Sequence, residues 1–235
     1  MRRELLSRQS SEIRTMFGRI AHRYDLLNRV LSLGRDVSWR RTVARRVSAL
    51  EPRLVLDLCT GTGDLALALG DGVVGADFCL PMLALARRKA QQGGRPLRLC
   101  AADALRLPFA DRSFDAVTVA FGVRNFAAFD RGLAEMVRVL RPGGALVVLE
   151  FSRPRGPAAP LLGWWARTVP PRIGRWVSCD PEAYSYLPAS VSTFPEGATM
   201  ARCLAAAGLA PVSVRPLTGG VVSLYEGRRP HEEAR

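Results

Sequence analysis

Glycines and carboxylates cluster around residues 56–64, where a short apolar run gives way to a polar loop. Gly61 and Gly63 would let a ligand approach the main chain closely, and the helix predicted to follow would present backbone N–H groups to it. Asp77 ends the next apolar run, where a carboxylate can accept hydrogen bonds from both hydroxyls of a ribose. The pattern predicts a site for an adenosine-containing ligand.

The spacing of this loop does not name the ligand, because Gly61, Gly63 and Ala66 also satisfy the dinucleotide-binding fingerprint. A pyrophosphate favours neutral or positive surroundings, whereas Asp57 and Asp64 flank the loop with carboxylates and favour a cation. S-adenosyl-L-methionine carries an ammonium and a sulfonium, and Asp57, at the end of its strand, is placed for the ammonium. An NAD-dependent oxidoreductase and a non-catalytic cofactor-binding module stay open as alternatives.

The elements that must position these residues alternate along the chain. Short apolar runs, typical of strands buried on both faces, occupy residues 54–58, 73–76, 97–100, 116–120 and 145–149. Helical patterns lie between them at residues 64–69, 80–92 and 130–140, the last ended by residues 141–144. This alternation predicts an α/β fold with a doubly wound, Rossmann-like sheet of seven strands, mostly parallel, with an antiparallel closing strand.

Both ends of the chain are predicted to add to this core. Apolar residues at helical spacing predict an amphipathic helix from Ile13 to Leu27 and a second helix with Asp36 as its N-cap. A helix over 195–208 and a hairpin of strands 212–217 and 221–225 would complete the sheet. The chain then divides into an N-terminal helical lid or substrate cap (1–50), a cofactor-binding core (51–152), an inserted substrate-side segment (153–194), and a C-terminal helix with the closing hairpin (195–235).

Composition and charge narrow the class of protein. The chain of 235 residues has 48% hydrophobic and 23% charged residues, which excludes a disordered or fibrous protein. Its formal charge of +13 is concentrated in residues 1–50, with 12 basic and 4 acidic side chains, and in residues 153–178, with 5 and none. The five cysteines show no C-x-x-C spacing, and no apolar run approaches the roughly 18 residues of a spanning helix. We expect reduced thiols in a cytoplasmic protein.

The loop at 56–64 is one of a set of motifs spread over residues 16–227. The others are Met16-Phe17, Tyr24-Asp25, Asn28, Ser32-Leu33-Gly34, Trp39, Ala76-Asp77, Leu107-Pro108-Phe109, Phe121-Gly122-Val123-Arg124-Asn125 and the segments 139–144, 149–152, 171–174 and 184–187. Together they resemble the menaquinone and ubiquinone biosynthesis C-methyltransferases, a branch of the class I S-adenosylmethionine-dependent methyltransferases.

The resemblance implies methylation of a ring carbon on a polyprenylated quinol, and we expect demethylmenaquinol, with a benzoquinol precursor of ubiquinone as the alternative. It implies contacts to S-adenosyl-L-methionine at Thr62, Asp77, Asp103 and Ala104, beside the glycine loop, and no metal. Family members often have Ser where this chain has Ala120, which removes a hydroxyl from that candidate contact.

Carbon methylation needs an electron-rich ring, so the expected substrate is the reduced hydroquinone, whose deprotonated oxygen raises the electron density at the neighbouring carbon. The resemblance supplies Arg124 and Asn125 as catalytic candidates that orient the hydroxyl or a water. Because arginine retains its proton, we assign Arg124 to electrostatic stabilisation, with a plain ion pair to a carboxylate as the alternative. His22 is a second candidate base, although a position on a helix surface is its default interpretation.

A polyprenyl quinol is dissolved in the membrane, and we expect a lid over it formed by Phe17, Tyr24, Asp25, Trp39 and Tyr184. Leucine, isoleucine and tryptophan residues are interleaved with arginines within residues 155–176, and with the basic N-terminal helices they predict a lipid-facing mouth on an anionic membrane surface. The protein would then be peripheral at the inner face of the cell membrane, with a solvated arginine surface as the alternative. No nucleic-acid partner is expected, and a homodimer stays open.

Overall fold

The computed structural model describes residues 10–157, 159–160, 162–164, 168, 190–191 and 194–231. Helices α1 to α6 span Ser10–Leu31, Arg35–Ser48, Asp64–Leu69, Leu80–Gln92, Phe129–Val139 and Ala198–Ala206. Strands β1 to β7 span Val55–Leu58, Val73–Asp77, Arg98–Ala101, Phe114–Ala120, Leu140–Phe151, Val212–Leu217 and Val222–Arg228.

The seven strands form one sheet in the order β3-β2-β1-β4-β5-β7-β6. Strands β1 to β5 are parallel, and β7 runs antiparallel to both β5 and β6. The strand order reverses between β1 and β4, so the loops that leave these two strands diverge to opposite sides. In open α/β sheets such a point, at the carboxyl ends of the strands, is where ligands bind.

Side chains alternate between the two faces of the sheet, and both faces are buried. Leu56 and Leu58 of β1 pack with α5 and α6 in one core, while Val55 packs with α2 and α3 in the other. The first core includes Met136 and Leu204, and the second includes Trp39 and Val43. Burial on both faces explains why the strands are continuous apolar runs in the sequence.

The predicted fold class is confirmed: the sheet has seven strands, is mostly parallel, is doubly wound and closes with an antiparallel strand. The helices predicted at 64–69 and 80–92 have those limits in the structure. The predicted C-terminal helix is shorter than 195–208 and begins only at Ala198. The four-part division of the chain stays a prediction.

One local prediction was wrong. The N-cap of α2 is Gly34 rather than Asp36, because Gly34 adopts a left-handed conformation (φ 75°) and its N–H closes the end of α1 on the Arg29 carbonyl. Asp36 lies instead in the first turn, buried against Arg40 and Arg29. The helix predicted to stop before residues 141–144 does so, since α5 ends at Val139; β5 however begins at Leu140 rather than at 145, with a shift of register against β4 over residues 141–144.

The described helices include none that combines the length and the apolar character needed to cross a lipid bilayer. Of the basic segment 153–178, the structure describes only part, in which Trp164 is exposed. Tyr184, the predicted lid residue of this region, lies outside the described residues.

Candidate functional site

A cleft opens at the carboxyl ends of β1, β2 and β4, where the strand order reverses. The cleft is open to the solvent, and the empty space between its walls and the bulk solvent is about 720 Å³. Its wall is formed by Phe17, Tyr24, Leu58, Cys59, Gly61, Asp77, Phe78, Met82, Ala102, Asp103, Ala104, Leu105, Ala120, Phe121, Gly122, Asn125, Phe126 and Ala127.

Asp77 is the last residue of β2 and provides a buried carboxylate in this wall. Its two oxygens accept hydrogen bonds from the backbone N–H groups of Gly61 (2.9 Å) and Cys79 (2.8 Å). Burial raises the pKa of Asp77 above its usual value, and the backbone donors oppose that shift. A carboxylate has about four acceptor sites, so Asp77 keeps capacity for a ligand hydroxyl in the cleft.

The two glycines of the loop serve different purposes. Gly61 (φ 57°) has no atom within 4 Å of the position a Cβ would take, so no other part of the protein covers its backbone on that side. Gly63 (φ 83°) precedes α3, and a Cβ there would lie 3.1 Å from the Cβ of Ala86. Gly61 therefore permits a close approach by a ligand, while Gly63 permits the turn and the packing of α3 against α4.

Asp57, predicted to face a ligand ammonium, is buried inside the sheet and is not part of the cleft wall. Its carboxylate accepts hydrogen bonds from the hydroxyls of Thr60 and Thr118, both at 2.7 Å. Burial raises the pKa of Asp57 to about 6, against the opposing effect of the two hydroxyls. The residue ties the glycine loop to β4 rather than lining the cleft.

Three further predicted cofactor residues do line the cleft. Asp103 is exposed after β3, and one of its oxygens accepts a hydrogen bond from the N–H of Leu105 at 2.9 Å. Ala104 is buried beside it, and Ala120 ends β4 on the opposite wall. Thr62 does not reach the wall; its hydroxyl donates to Asp25 at 2.6 Å.

Only one of the two catalytic candidates lines the cleft. Asn125 lines the cleft, whereas Arg124 lies behind the wall. Arg124 Nη1 donates to the Phe121 carbonyl (2.6 Å) and to Glu150 Oε1 (2.8 Å), which is the ion pair named above as the alternative. Within the described part of the chain, Arg124 Nε and Glu150 Oε2 are buried and have no hydrogen-bond partner.

Helix α1 covers one side of the cleft with aromatic residues. Phe17 and Tyr24 pack edge to face, with ring centroids 5.9 Å apart, and both line the wall. Burial raises the pKa of Tyr24 above its usual value. Asp25 turns away from the cleft toward Thr62 and Lys89, and His22 is exposed on the outer side of the helix.

Trp39, predicted to be part of the lid, is buried in the core under the cleft. Its indole N–H donates to Thr218 Oγ1 at 2.8 Å, and its ring lies 6.1 Å from that of Phe121. No role was predicted for Phe121, which lines the cleft. Its ring packs against that of Phe151, with the centroids 4.6 Å apart. Phe121 directly follows the apolar run of β4, and this position at the end of a strand could have indicated that it lines the site.

Comparison with solved structures defines the class of this fold. A SAM-dependent methyltransferase from Thermotoga maritima superposes with a TM-score of 0.65 at 19% sequence identity, covering 92% of this chain and 99% of that chain. The sheet with its cleft at the strand ends is the fold of the S-adenosylmethionine-dependent methyltransferases.

Sequence comparison narrows this class. Residues 5–229 match the ubiE/COQ5 methyltransferase family. A demethylmenaquinone methyltransferase from Thermus thermophilus is 50% identical over 221 residues, covering 92% of this chain and 100% of the relative. Another from Thermobifida fusca is 44% identical over 234 residues, covering 97% of this chain and 99% of the relative. The chain belongs to the ubiE/COQ5 methyltransferase family and is an S-adenosylmethionine-dependent methyltransferase.

Proposed function

We propose that this protein methylates a ring carbon of demethylmenaquinol. The observation that carries the proposal is the 50% identity to a demethylmenaquinone methyltransferase over the whole length of that relative. The names of the similar proteins from Thermus thermophilus and Thermobifida fusca favour the naphthoquinol over the benzoquinol. The ring must be reduced, because a quinone carbon is electron-poor and would not attack an electrophilic methyl group.

The residues of the cleft fit the cofactor. S-adenosyl-L-methionine supplies an electrophilic methyl group attached to a sulfonium. We assign its ribose hydroxyls to Asp77 and its closest approach to the bare backbone of Gly61. Asp103 and Ala104, on the adjacent wall, are assigned to the adenine. Asp57, Thr62 and Gly63 support this seat through the loop conformation, since none of them lines the cleft.

The quinol ring is assigned to the side of the cleft formed by Phe17, Tyr24 and Phe126, whose aromatic surface suits a flat apolar ring. Asn125 presents an amide at this wall and would orient a ring hydroxyl by hydrogen bonding. Arg124 lies behind Asn125 with its guanidinium held by Glu150. Its role is therefore to fix the turn that carries Asn125 and to supply a nearby positive charge for the phenolate.

The test is transfer of a labelled methyl group from S-adenosyl-L-methionine to reduced demethylmenaquinone under anaerobic conditions, beside a benzoquinol with the same prenyl tail. We expect product from the naphthoquinol. Product from the benzoquinol alone would overturn the substrate assignment. If the cofactor binds and neither ring is methylated, the quinol assignment fails altogether.

The cofactor seat is tested separately by calorimetric titration with S-adenosyl-L-methionine. Asp77→Asn should weaken binding roughly tenfold to a hundredfold, since hydrogen bonds to a charged group are worth about 1.5–3 kcal/mol. Asp71→Asn makes the same chemical change at an exposed position just before β2 and should leave the affinity unchanged. Equal affinities of the two variants would contradict the seat proposed at Asp77.

We also propose that the outer face of α1 meets an anionic membrane surface, where the quinol is dissolved. Leu26 and Val30 are exposed at helical spacing on α1, and exposed Arg19 and Arg23 lie on the same side; Leu33 is exposed in the turn that follows the helix. Apolar side chains among basic ones suit a helix that lies in a lipid interface. This proposal is supported by charge and exposure and rests on the quinol assignment.

Flotation with phosphatidylglycerol vesicles tests the membrane proposal, with phosphatidylcholine vesicles as the comparison. We expect retention on the anionic vesicles and loss of retention in the Leu26→Glu/Leu33→Glu variant. Ala205→Glu adds an acidic side chain at an exposed position of α6 and should not change retention. If the wild-type protein floated with neither type of vesicle, the membrane proposal would be refuted.

A further inference from the structure

One lysine, Lys89, stands among 33 arginines in this chain, and it is the only lysine in the sequence. It lies in the last turn of α4, with its side chain about one third exposed. Its ammonium donates to Asp25 Oδ2 (2.7 Å), Asp64 Oδ1 (2.5 Å) and Thr62 Oγ1 (3.1 Å). All three donors of the ammonium are thus used.

The three acceptors come from two parts of the molecule, the lid helix and the loop that leads into α3. Asp25 belongs to the lid helix α1, Thr62 to the glycine loop, and Asp64 is the first residue of α3. The Thr62 hydroxyl also donates to Asp25 at 2.6 Å, which closes a ring of hydrogen bonds between the lid and the loop. Lys89 therefore joins α1 directly to the loop that is assigned to the cofactor.

The charges around Lys89 are complementary on the two sides of this junction. Helix α1 presents Asp25 and, one turn later, Arg29; the core presents Lys89 and Asp64. Arg29 Nη2 lies 3.4 Å from Asp64 Oδ2, so each lid charge faces an opposite charge of the core. Partial burial raises the pKa of Asp64, but Lys89, together with Arg40 of α2 and Arg29, outweighs this effect and lowers the pKa below its usual value.

An ammonium suits this position better than a guanidinium. Three acceptors from different directions surround one nitrogen, whereas arginine spreads its donors over a planar fork made for two parallel bonds. In a chain that otherwise uses arginine throughout, the geometry of this junction is the feature that distinguishes the position of Lys89.

The junction controls residues that line the cleft. Asp25 directly follows Tyr24, and Phe17 lies two turns earlier on the same helix. We propose that Lys89 is a positioning residue that holds the lid helix closed over the bound cofactor, so that cofactor and product leave only after its bond to Asp25 has opened. The proposal rests on the cofactor seat proposed above and does not depend on which quinol is methylated.

The first test measures dissociation of S-adenosylhomocysteine by stopped flow, without any quinol present. Lys89→Met keeps the unbranched side chain as far as Cε and removes the ammonium, and we expect dissociation to be about tenfold faster, within the range of coupling energies between two sites. Lys89→Arg should restore only part of the wild-type rate. Arg46→Met removes a similar ion pair, with Glu226 at 2.6 Å and remote from the lid, and should leave the rate unchanged.

In turnover, Lys89→Met should raise the KM for S-adenosyl-L-methionine more than it lowers kcat, because Lys89 does not touch the reacting atoms. Wild-type dissociation rates in all variants would refute the positioning role while leaving the cofactor seat intact. Absence of binding in the wild-type protein would instead refute the seat itself.

The second test uses only the wild-type protein and thus does not depend on the folding of a variant. Because Lys89 is the only lysine, the rate of its reductive methylation, followed by mass spectrometry of the peptide that contains it, reports how often the junction opens. We expect saturating S-adenosylhomocysteine to slow this reaction about tenfold, with labelling of the N-terminal amine as the internal control. An unchanged rate would overturn the proposal.

Discussion

Arg124 Nη1 lies 2.8 Å from Glu150 Oε1, and the two side chains are 7% and 0% exposed. Arg124 follows β4 and Glu150 is close to the end of β5, so the pair joins the turn that carries Asn125 to the neighbouring strand. The guanidinium also lies 5.3 Å above the ring of Phe151. The charge of Arg124 is therefore part of the structure of the cleft wall.

Breaking this pair from one side should destabilise the protein strongly. Arg124→Met leaves the carboxylate of Glu150 buried without its counter-ion, and we expect a loss of about 3–5 kcal/mol in the free energy of unfolding, measured in urea. Arg124→Met/Glu150→Leu removes both charges and should recover most of that loss. The exposed pair of Arg46 with Glu226 offers the control, since Arg46→Met should cost about 0–1 kcal/mol. Similar losses in the two single variants would contradict this account.

Asp57 should make the protein less stable as the pH rises from about 4 to 6. Its pKa is about 6 in the folded protein against 3.8 for the free side chain, so in this window the folded state binds the additional proton. Asp57→Asn lacks this titration, and its free energy of unfolding, relative to wild type, should rise across the window by about 3 kcal/mol. Urea unfolding of both proteins at several pH values measures this difference in free energy. The contributions of all other titrating groups are the same in both proteins and cancel. A difference that is independent of pH would refute the raised pKa.

Trp39 should matter for stability and not for the quinol. Trp39→Phe removes the hydrogen bond to Thr218, and we expect the free energy of unfolding to fall by about 1–3 kcal/mol. Thr218→Val removes the same bond from the other side, and a double-mutant cycle isolates it. If Trp39→Phe raised the KM for the quinol and left the stability unchanged, Trp39 would belong to the lid and this account would be refuted.

Position 122 requires a glycine because Cys59 leaves no room for a Cβ there. A Cβ on Gly122 would lie 2.5 Å from the Cβ and 2.8 Å from the Sγ of Cys59, so Gly122→Ala should cost about 1–3 kcal/mol. Cys59 has a φ of 55°, which glycine adopts without strain, so Gly122→Ala/Cys59→Gly should recover most of the loss. Gly93→Ala is the control, because its Cβ would make only ordinary contacts. Urea unfolding that shows no rescue would refute the contact.

The sequence predicted the elements of the sheet well because burial leaves a periodic trace. Strands β1, β2 and β4 are buried on both faces and stand out as apolar runs. The apolar run starts only at residue 145, whereas β5 begins at Leu140, because Arg141 pairs with Asp115 at 2.6 Å and the Gly143 N–H donates to the Arg229 carbonyl at 2.8 Å. Contacts with distant residues thus extend β5 over a segment whose composition favours a turn.

The pairing of charges could not be predicted from the sequence. Lys89 and Asp25 are separated by 64 residues, and Arg124 and Glu150 by 26. A sequence pattern records that a position is polar or buried, but the partner is chosen by the way helices and strands cross in space. For that reason the expected set of site residues omitted both Lys89 and Glu150.

The sequence by itself determined the alternation of strands and helices, the glycine loop at the end of β1 and the carboxylate at the end of β2. Only the tertiary structure decided which carboxylate faces the cleft. Asp57 lies one residue inside β1, where the neighbouring strands enclose it, and its oxygens are taken by Thr60 and Thr118. Asp77 is the last residue of β2, where the sheet ends and the space for a ligand begins.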